Sequence, residues 1–435
     1  MLKKLKIKRQ PLFAFLLVLA VATTGILVGR LSVTSVSAEG ESYEDLKTFT
    51  EVLSMVRRHY VEDVKSKDLV QGAIKGMLNS LDPHSGYMTA EGYKDLQVET
   101  KGEFGGIGIQ IGVKDGIITV IAPIEDTPAY RAGIQAGDKI TKINNESTRD
   151  MTLHDAVSKM RGAPKTTVTI GIMREGWKEL KDFTLTREII KVKSVKSKVL
   201  ENTIGYVKIN QFQEQTADDL EAALKKLNEE KVAALILDLR NDPGGLLNSA
   251  IEVTSQFLPK GKLVVYTKTR SGEKSEFFTD NGTYFTQPMI VLVNQGSASA
   301  SEIVAGALKD WNRAVVLGTV TFGKGSVQMI IPLSDGAGLR LTTAKYYTPN
   351  GKSIQGTGIT PDIIVKLEPK NGAKEHPVVR EKDLDRHLKN EQADQLKGEP
   401  ETAPFEVDEK DDVQLQRAID ILKTWNVFKE LPKAS

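Results

Sequence analysis

Three serines crowd one short stretch of this 435-residue chain, Gln295-Gly296-Ser297-Ala298-Ser299-Ala300-Ser301-Glu302. The apolar run 290–294 precedes it and Ile303-Val304-Ala305-Gly306-Ala307-Leu308 follows, so the small residues mark a turn from a strand into a helix. A hydroxyl at such a turn sits where unpaired backbone N–H groups and the helix dipole favour negative charge, which suits a nucleophilic serine. Helix capping is the structural use of the same residue type, and Ser297 and Ser301 are suited to that role. A second stretch, Thr321-Phe322-Gly323-Lys324-Gly325-Ser326-Val327-Gln328, sets a lysine between two glycines beside a hydrophobic strand. Glycines let backbones approach closely. A lysine held in an apolar, closely packed site sheds its charge more readily than a solvated one and can serve as a general base. With no histidine within 60 residues of Ser299, a serine–lysine pair is the economical choice.

Composition narrows the chemistry further. The chain has no cysteine, which removes catalytic thiols, disulfides, thiolate zinc sites and iron–sulfur clusters together. Its five histidines are scattered, so no metal site and no cofactor is expected. Hydrophobic residues at 40% and charged residues at 27% place the bulk among folded globular proteins of more than one domain. The net charge of +2 conceals an asymmetry: Lys3, Lys4, Lys6, Lys8, Arg9 and Arg30 lie in the first 38 positions with no acidic residue, and the remainder holds 53 basic against 57 acidic residues. That balance argues against a nucleic-acid partner.

The elements that must carry these residues follow from periodicity. Residues 11–28 form an apolar run behind five cations and ahead of the small-residue stretch Val36-Ser37-Ala38, the layout of a secretory signal that is also long enough to remain as a membrane anchor. Basic residues stay on the cytoplasmic side, so the rest should face an extracytoplasmic space, most simply a bacterial periplasm. Residues 43–80 read as helical and end at Leu81-Asp82-Pro83-His84-Ser85. From 100 to 187 the chain reads as short strands with two helices, at Thr127-Pro128-Ala129 and at 153–161. With Ala132-Gly133-Ile134 leading into Ile140, it resembles a PDZ domain of the bacterial protease type. In such a domain Phe104, Gly105, Gly106, Ile107 and Gly108 are the candidates for a loop that captures a C-terminal carboxylate while a strand edge pairs with the peptide. From 204 onward strands alternate with helices, the signature of an α/β layer over a buried sheet. Residues 366–405 are charged and weakly periodic, and Leu415, Ala418, Ile419, Leu422 and Trp425 restore a helical stripe.

Taken together, Ser299-Ala300-Ser301-Glu302, Gly323-Lys324-Gly325 with Gln328, and Leu239-Arg240-Asn241-Asp242-Pro243-Gly244-Gly245 resemble the carboxyl-terminal processing peptidases, the tail-specific serine proteases of the S41 class. The resemblance extends from Leu69 to Val365 and includes Tyr346-Tyr347-Thr348-Pro349-Asn350-Gly351. It implies that Ser299 is the nucleophile, Lys324 the general base and Gln328 the residue that orients the lysine. The oxyanion donors would be Ala300 N–H and a group from the Gly244-Gly245 turn, with Gly245 preferred. Glu302 and Asp310 lie on the helix that Ser299 starts and could support the site, although a structural role suits each as well. Arg161 could couple peptide binding to the active site or be an ordinary surface charge.

The expected architecture is a mixed α/β, crotonase/ClpP-like protease core with an inserted β-rich PDZ domain, an N-terminal helical arm and a C-terminal extension. The expected division is a leader at 1–38, a helical module at 39–99, the PDZ domain at 100–187, the protease core at 188–367 and a charged linker with a terminal helix at 368–435. The expected activity is endoproteolysis near exposed C-terminal tails of proteins or peptides. An adaptor protein and a second copy of the chain, meeting through the helical arm or the terminal stripe, are the further partners considered. Two other classes stand beside it. A catalytically silent PDZ adaptor would have no need of Ser299, Lys324 and Gln328 together. Non-proteolytic chemistry on a crotonase-like core would call for a coenzyme site, and no nucleotide-type phosphate motif is present.

Overall fold

The computed structural model describes residues 40–280, 285–367, 376–392, 402–403 and 411–430. The leader at 1–38 and most of the charged stretch 368–410 lie outside the described residues. The chain divides into two compact units, residues 1–76 and 77–435.

In the first unit the expected helical arm is two helices, Gly40–His59 and Ser66–Asn79, the second of which runs on past the unit's end. The break falls at Tyr60-Val61-Glu62-Asp63-Val64-Lys65, where β-branched and acidic residues carry no helical stripe. On the first helix Tyr43, Leu46, Phe49, Val52 and Met55 recur at three-residue spacing and are exposed. No helix among the described residues is long and apolar enough to cross a membrane.

The second unit is organised around a six-stranded sheet in the order Val195–Leu200, Ile204–Ile209, Ala234–Asp238, Met289–Val293, Val315–Gly318, Ile363–Ile364. The first pair is antiparallel and the other four pairings are parallel. The central strands, Ala-Leu-Ile-Leu-Asp and Met-Ile-Val-Leu-Val, are buried at every position because helices cover both faces. Thr216–Glu229, Leu247–Ser255 and Ala300–Asp310 pack on one face. On the other, Leu415, Ala418, Ile419 and Leu422 of helix Val413–Glu430 cover Ile204, Ile236, Ile290, Leu292 and Leu317. Burying each such leucine or isoleucine contributes about 1.5–3 kcal/mol, so this helix is an integral layer of the sheet.

A second sheet is antiparallel throughout. Strand Gly338–Tyr347 pairs with Gly86–Met88, with Ser326–Pro332 and with Leu263–Thr269, which in turn pairs with Lys274–Phe278. This sheet corrects the expectation of a crotonase/ClpP-like core. The structure is mixed α/β, but the strand at Leu263–Thr269 leaves the α/β layer that the alternation of strands and helices suggested for it. It forms a hairpin through Arg270-Ser271-Gly272-Glu273 and joins the antiparallel sheet that carries the lysine segment. Hydrophobic run length reports burial and is blind to strand direction, which is why that assignment failed.

In sequence between strand Gly86–Met88 of the antiparallel sheet and strand Val195–Leu200 of the six-stranded sheet lies a separate β-rich module with its own core of Ile118, Val120, Ile140, Ile143, Ile170 and Ile172. Its sheet runs Ile109–Lys114, Ile117–Pro123, Lys139–Ile143, Thr167–Met173, Lys181–Thr186, with helices Pro128–Arg131 and Leu153–Met160 where the sequence places them. Glu103–Gly106 pairs antiparallel with Glu188–Lys191, so the chain enters and leaves the module through one two-stranded neck.

Candidate active site

The turn between Met289–Val293 and Ala300–Asp310 separates the three serines by what they touch. Ser297 donates to Leu239 O at 2.7 Å and Ser301 donates to Asp242 O at 2.9 Å, so both hydroxyls tie the turn to the neighbouring 239–242 loop. Ser299 has its hydroxyl on neither tie and is half-buried at the helix start. Its backbone stands at φ 54° and ψ −111°, a conformation that costs a non-glycine residue roughly 1–3 kcal/mol and persists only where the surroundings enforce it.

The enforcing group is Glu302. Fully buried, its carboxylate accepts four hydrogen bonds: one oxygen from Thr321 Oγ1 at 2.5 Å and Gly323 N–H at 2.7 Å, the other from Ser299 N–H at 2.8 Å and Lys324 N–H at 2.9 Å. One side chain thus fixes the backbones of both candidate catalytic residues. Burial pushes this carboxyl up to about 7, against the pull of the four donors toward the charged form. A residue that the sequence left open as merely structural is the junction of the site.

Lys324 follows from the flanking glycines. A Cβ on Gly323 would meet the 356–358 backbone at 3.1–3.3 Å, and one on Gly325 would lie 2.3 Å from Gln355 N. Only glycines let the segment press this close. Burial lowers the Lys324 ammonium below the ordinary lysine range, helped by the Arg340 cation and opposed by Glu381, Glu302 and Asp82. Two of these acids anchor neighbouring chain. Glu381 accepts from Gln355 Nε2 at 2.8 Å and pairs with His84 Nε2 at 2.7 Å, while Gln355 Oε1 accepts Gly325 N–H at 3.0 Å. Burial pushes Asp82 up, but hydrogen bonds from Ser85, from the His84 and Ser85 amides and from Thr342 hold it below the usual carboxylate range. Gln328 points elsewhere than the sequence suggests: its amide nitrogen donates to Ser326 Oγ at 2.9 Å and reaches Thr342 Oγ1 at 3.4 Å. Asp310, at the far end of its helix, accepts Asn350 N–H and is not brought into the site.

The loop Asp238 to Gly245 faces the serine turn. Gly244 is pressed against it, since a Cβ there would sit 2.6 Å from Ala298 O and 2.9 Å from Ser299 Cβ. Its N–H is spent on Asp242 Oδ1 at 2.8 Å, so Gly244 supplies clearance and not an oxyanion donor. Gly245 N–H and Ala300 N–H donate no hydrogen bond among the described residues, and Gly245 is exposed. Its carbonyl side is pinned by the bonds Phe212 N–H to Gly244 O and Leu246 N–H to Phe212 O. Burial pushes the Asp242 carboxyl up to about 7, and its second oxygen is unpartnered.

The β-rich module refines the loop candidates. Phe104, Gly105 and Gly106 belong to the paired neck, with the Arg161 guanidinium 4.6 Å from the Phe104 ring and 3.2 Å from Asp95. Ile107 and Gly108 follow it, and their N–H groups donate no hydrogen bond among the described residues. They lead into Ile109–Lys114, the edge strand of the module's sheet, which packs against helix Leu153–Met160. Free N–H groups ahead of an unpaired strand edge suit an extended peptide ending in a carboxylate. No cluster of His, Asp or Glu among the described residues could hold a metal ion.

Comparison with known proteins bears on all three regions. Peptidase family S41 matches residues 203–365, a PDZ domain matches 119–174, and the activating protease CtpB N-terminal domain matches 27–92. Over 407 residues the chain is 46% identical to a carboxy-terminal-processing protease of Bartonella bacilliformis, covering 92% of this chain and 93% of that one. The carboxy-terminal processing protease CtpB of Bacillus subtilis is 36% identical over 333 residues, covering 76% and 69%. Among solved structures, the photosystem II D1 C-terminal processing protease is 29% identical with a TM-score of 0.44, covering 73% and 92%. A putative S41 protease of Bacteroides fragilis is 18% identical with a TM-score of 0.43, covering 73% and 90%.

Proposed function

The chain belongs to peptidase family S41 as a carboxy-terminal processing serine protease with a PDZ domain, and from that premise we propose how its own residues divide the work. Ser299 is the nucleophile and Lys324 the general base. Neutral Lys324 takes the Ser299 hydroxyl proton as Oγ bonds to the scissile carbonyl carbon, and the resulting oxyanion is received by Gly245 N–H and Ala300 N–H. Collapse breaks the carbon–nitrogen bond, the lysine returns its proton to the leaving amine, and water releases the acyl group by the same steps. Gln328 serves the lysine indirectly, by holding Ser326 and Thr342 beside it.

The single observation that carries this reading is the Glu302 carboxylate, which binds the Ser299 and Lys324 amides with the same oxygen. A module that only bound peptides would have no use for that junction. The test is the pH dependence of kcat/KM on an unfolded reporter with an apolar C-terminal tail. A base whose ammonium is destabilised by burial is neutral at lower pH, so activity should rise along a limb placed below the ordinary lysine value of about 10.4. A limb at or above that value would remove Lys324 from the role.

Substrate selection is assigned to the module at 100–187, with Ile107 and Gly108 N–H on the terminal carboxylate and the edge strand Ile109–Lys114 on the peptide backbone. Amidating the tail replaces a charged acceptor by a neutral group, which should weaken binding by roughly 10–100-fold. Equal binding of acid and amide in a calorimetric titration would exclude a carboxylate-specific loop. The chain acts outside the cytoplasm behind its cationic, apolar leader, and the exposed stripe of Tyr43, Leu46, Phe49 and Val52 fits a second copy.

A further inference from the structure

Helix Val413–Glu430 begins well beyond the stretch that matches the peptidase family, yet its first turn reaches the oxyanion loop. Arg240 stands two residues after strand Ala234–Asp238 and five before Gly245. Its guanidinium meets Asp412 end-on, Nη1 to Oδ1 and Nη2 to Oδ2, both at 2.8 Å. Nη1 also donates to Gln414 Oε1 at 3.1 Å, and Nε and Nη2 close on Asp238 at 2.6–3.1 Å. A bidentate arginine–carboxylate pair fixes orientation as well as distance. The surroundings complete it: Asp238 accepts from Tyr206 Oη at 2.8 Å, Lys208 Nζ donates to Arg240 O at 3.0 Å, and Gln414 Nε2 donates to Val365 O at 2.8 Å. Arg240 thereby sits between the end of a central strand and the start of the terminal helix, with every donor face engaged and the side chain almost fully buried. From there the loop turns through Asn241 at φ 56° and the Asp242 bond to Gly244, which leaves Gly245 N–H facing outward.

We propose that Asp412 is a positioning residue for the oxyanion hole, acting through Arg240 to hold the loop that presents Gly245 N–H. The inference rests on the assignment of Gly245 as an oxyanion donor. Its physical basis is that Arg240 can be clamped on both sides only while the terminal helix is docked, and a donor displaced by even about 1 Å can cost up to roughly 10²-fold in rate.

Asp412 also accepts Leu415 N–H at 3.0 Å and so caps its own helix. Asp412→Ser separates the two duties, because serine caps as well as aspartate but is too short to reach the guanidinium. In the full chain, Asp412→Ser should lower kcat about tenfold and leave KM within about twofold. Inhibition by a peptidyl aldehyde, whose hemiacetal with Ser299 needs the oxyanion donors, should weaken by the same factor. Affinity for the uncleaved tail peptide, measured in the Ser299→Ala background, should not change. If Asp412→Ser does not fold, Asp412→Asn keeps the cap and the size while losing the charge, and the same three measurements apply. A kcat within twofold of the parent overturns the proposal, as does a loss of kcat with unchanged aldehyde inhibition. Failure of the serine–lysine reading would show separately, as turnover that survives Ser299→Ala.

Discussion

Replacing Ser299 by alanine is expected to lower kcat by roughly 10⁴-fold or more, the scale on which removing a nucleophile acts in hydroxyl proteases that work as a unit. The hydroxyls of Ser297 and Ser301 do not rescue it, because each is committed to the 239–242 loop. Lys324→Ala should fall to a similar residual rate, and the double variant should be little worse than either, since one proton transfer is lost in all three. Tail binding should survive in each, since the peptide-binding module is built elsewhere. The check is steady-state cleavage of an unfolded reporter beside a titration with the tail peptide. Full activity in Ser299→Ala would remove the acyl-enzyme mechanism, and loss of folding would appear as a collapsed thermal transition.

Glu302→Ala should be the most damaging change away from the reacting atoms. It strands Ser299 N–H, Lys324 N–H, Gly323 N–H and Thr321 Oγ1 in a buried space, and an unsatisfied buried donor costs about 1–3 kcal/mol. The strained Ser299 backbone loses its restraint at the same time. The expectation is a destabilisation of at least about 3 kcal/mol together with a loss of roughly 10²-fold or more in kcat. Glu302→Gln keeps the shape but turns an amide NH₂ toward donors, so it should restore stability further than activity. The pH dependence has a definite sign. A carboxyl held at about 7 in the folded chain, above the ordinary 4.5, favours folding most below 4.5, and that contribution is lost as pH rises through 7. Denaturant unfolding across that window, wild type against Glu302→Gln, reads the difference. A flat difference would mean that the four donors hold Glu302 charged throughout.

Much of this architecture is legible in one dimension. Strand Ile204–Ile209, the helices at 216–229, 247–255 and 300–310, and the helices of the β-rich module stand within a residue or two of their periodicity, because burial of continuous apolar runs dictates them. The reacting pair is legible for a different reason: a small-residue turn and a glycine-flanked lysine are local features. What the sequence withholds is which partner each polar group meets. Glu302 looks like an ordinary first-turn acid until its four donors, two of them more than twenty residues away, are seen to converge. Gly244 reads as an oxyanion donor until its N–H is found on Asp242, and Gln328 reads as the residue that orients the lysine, whereas its amide nitrogen is found on Ser326. The direction of strand Leu263–Thr269 is equally hidden, since its continuous buried run fits either sheet.

The paired neck of Glu103–Gly106 with Glu188–Lys191 brings the two ends of the peptide-binding module side by side, one strand spacing apart. A host that accepts a guest through one such doorway need not know the guest's interior. Recognition and cutting can therefore diverge at separate rates, and a different reader of protein tails could be spliced in at 107–187 with the protease sheets left as they are. In this chain the choice of what to cut is an interchangeable part.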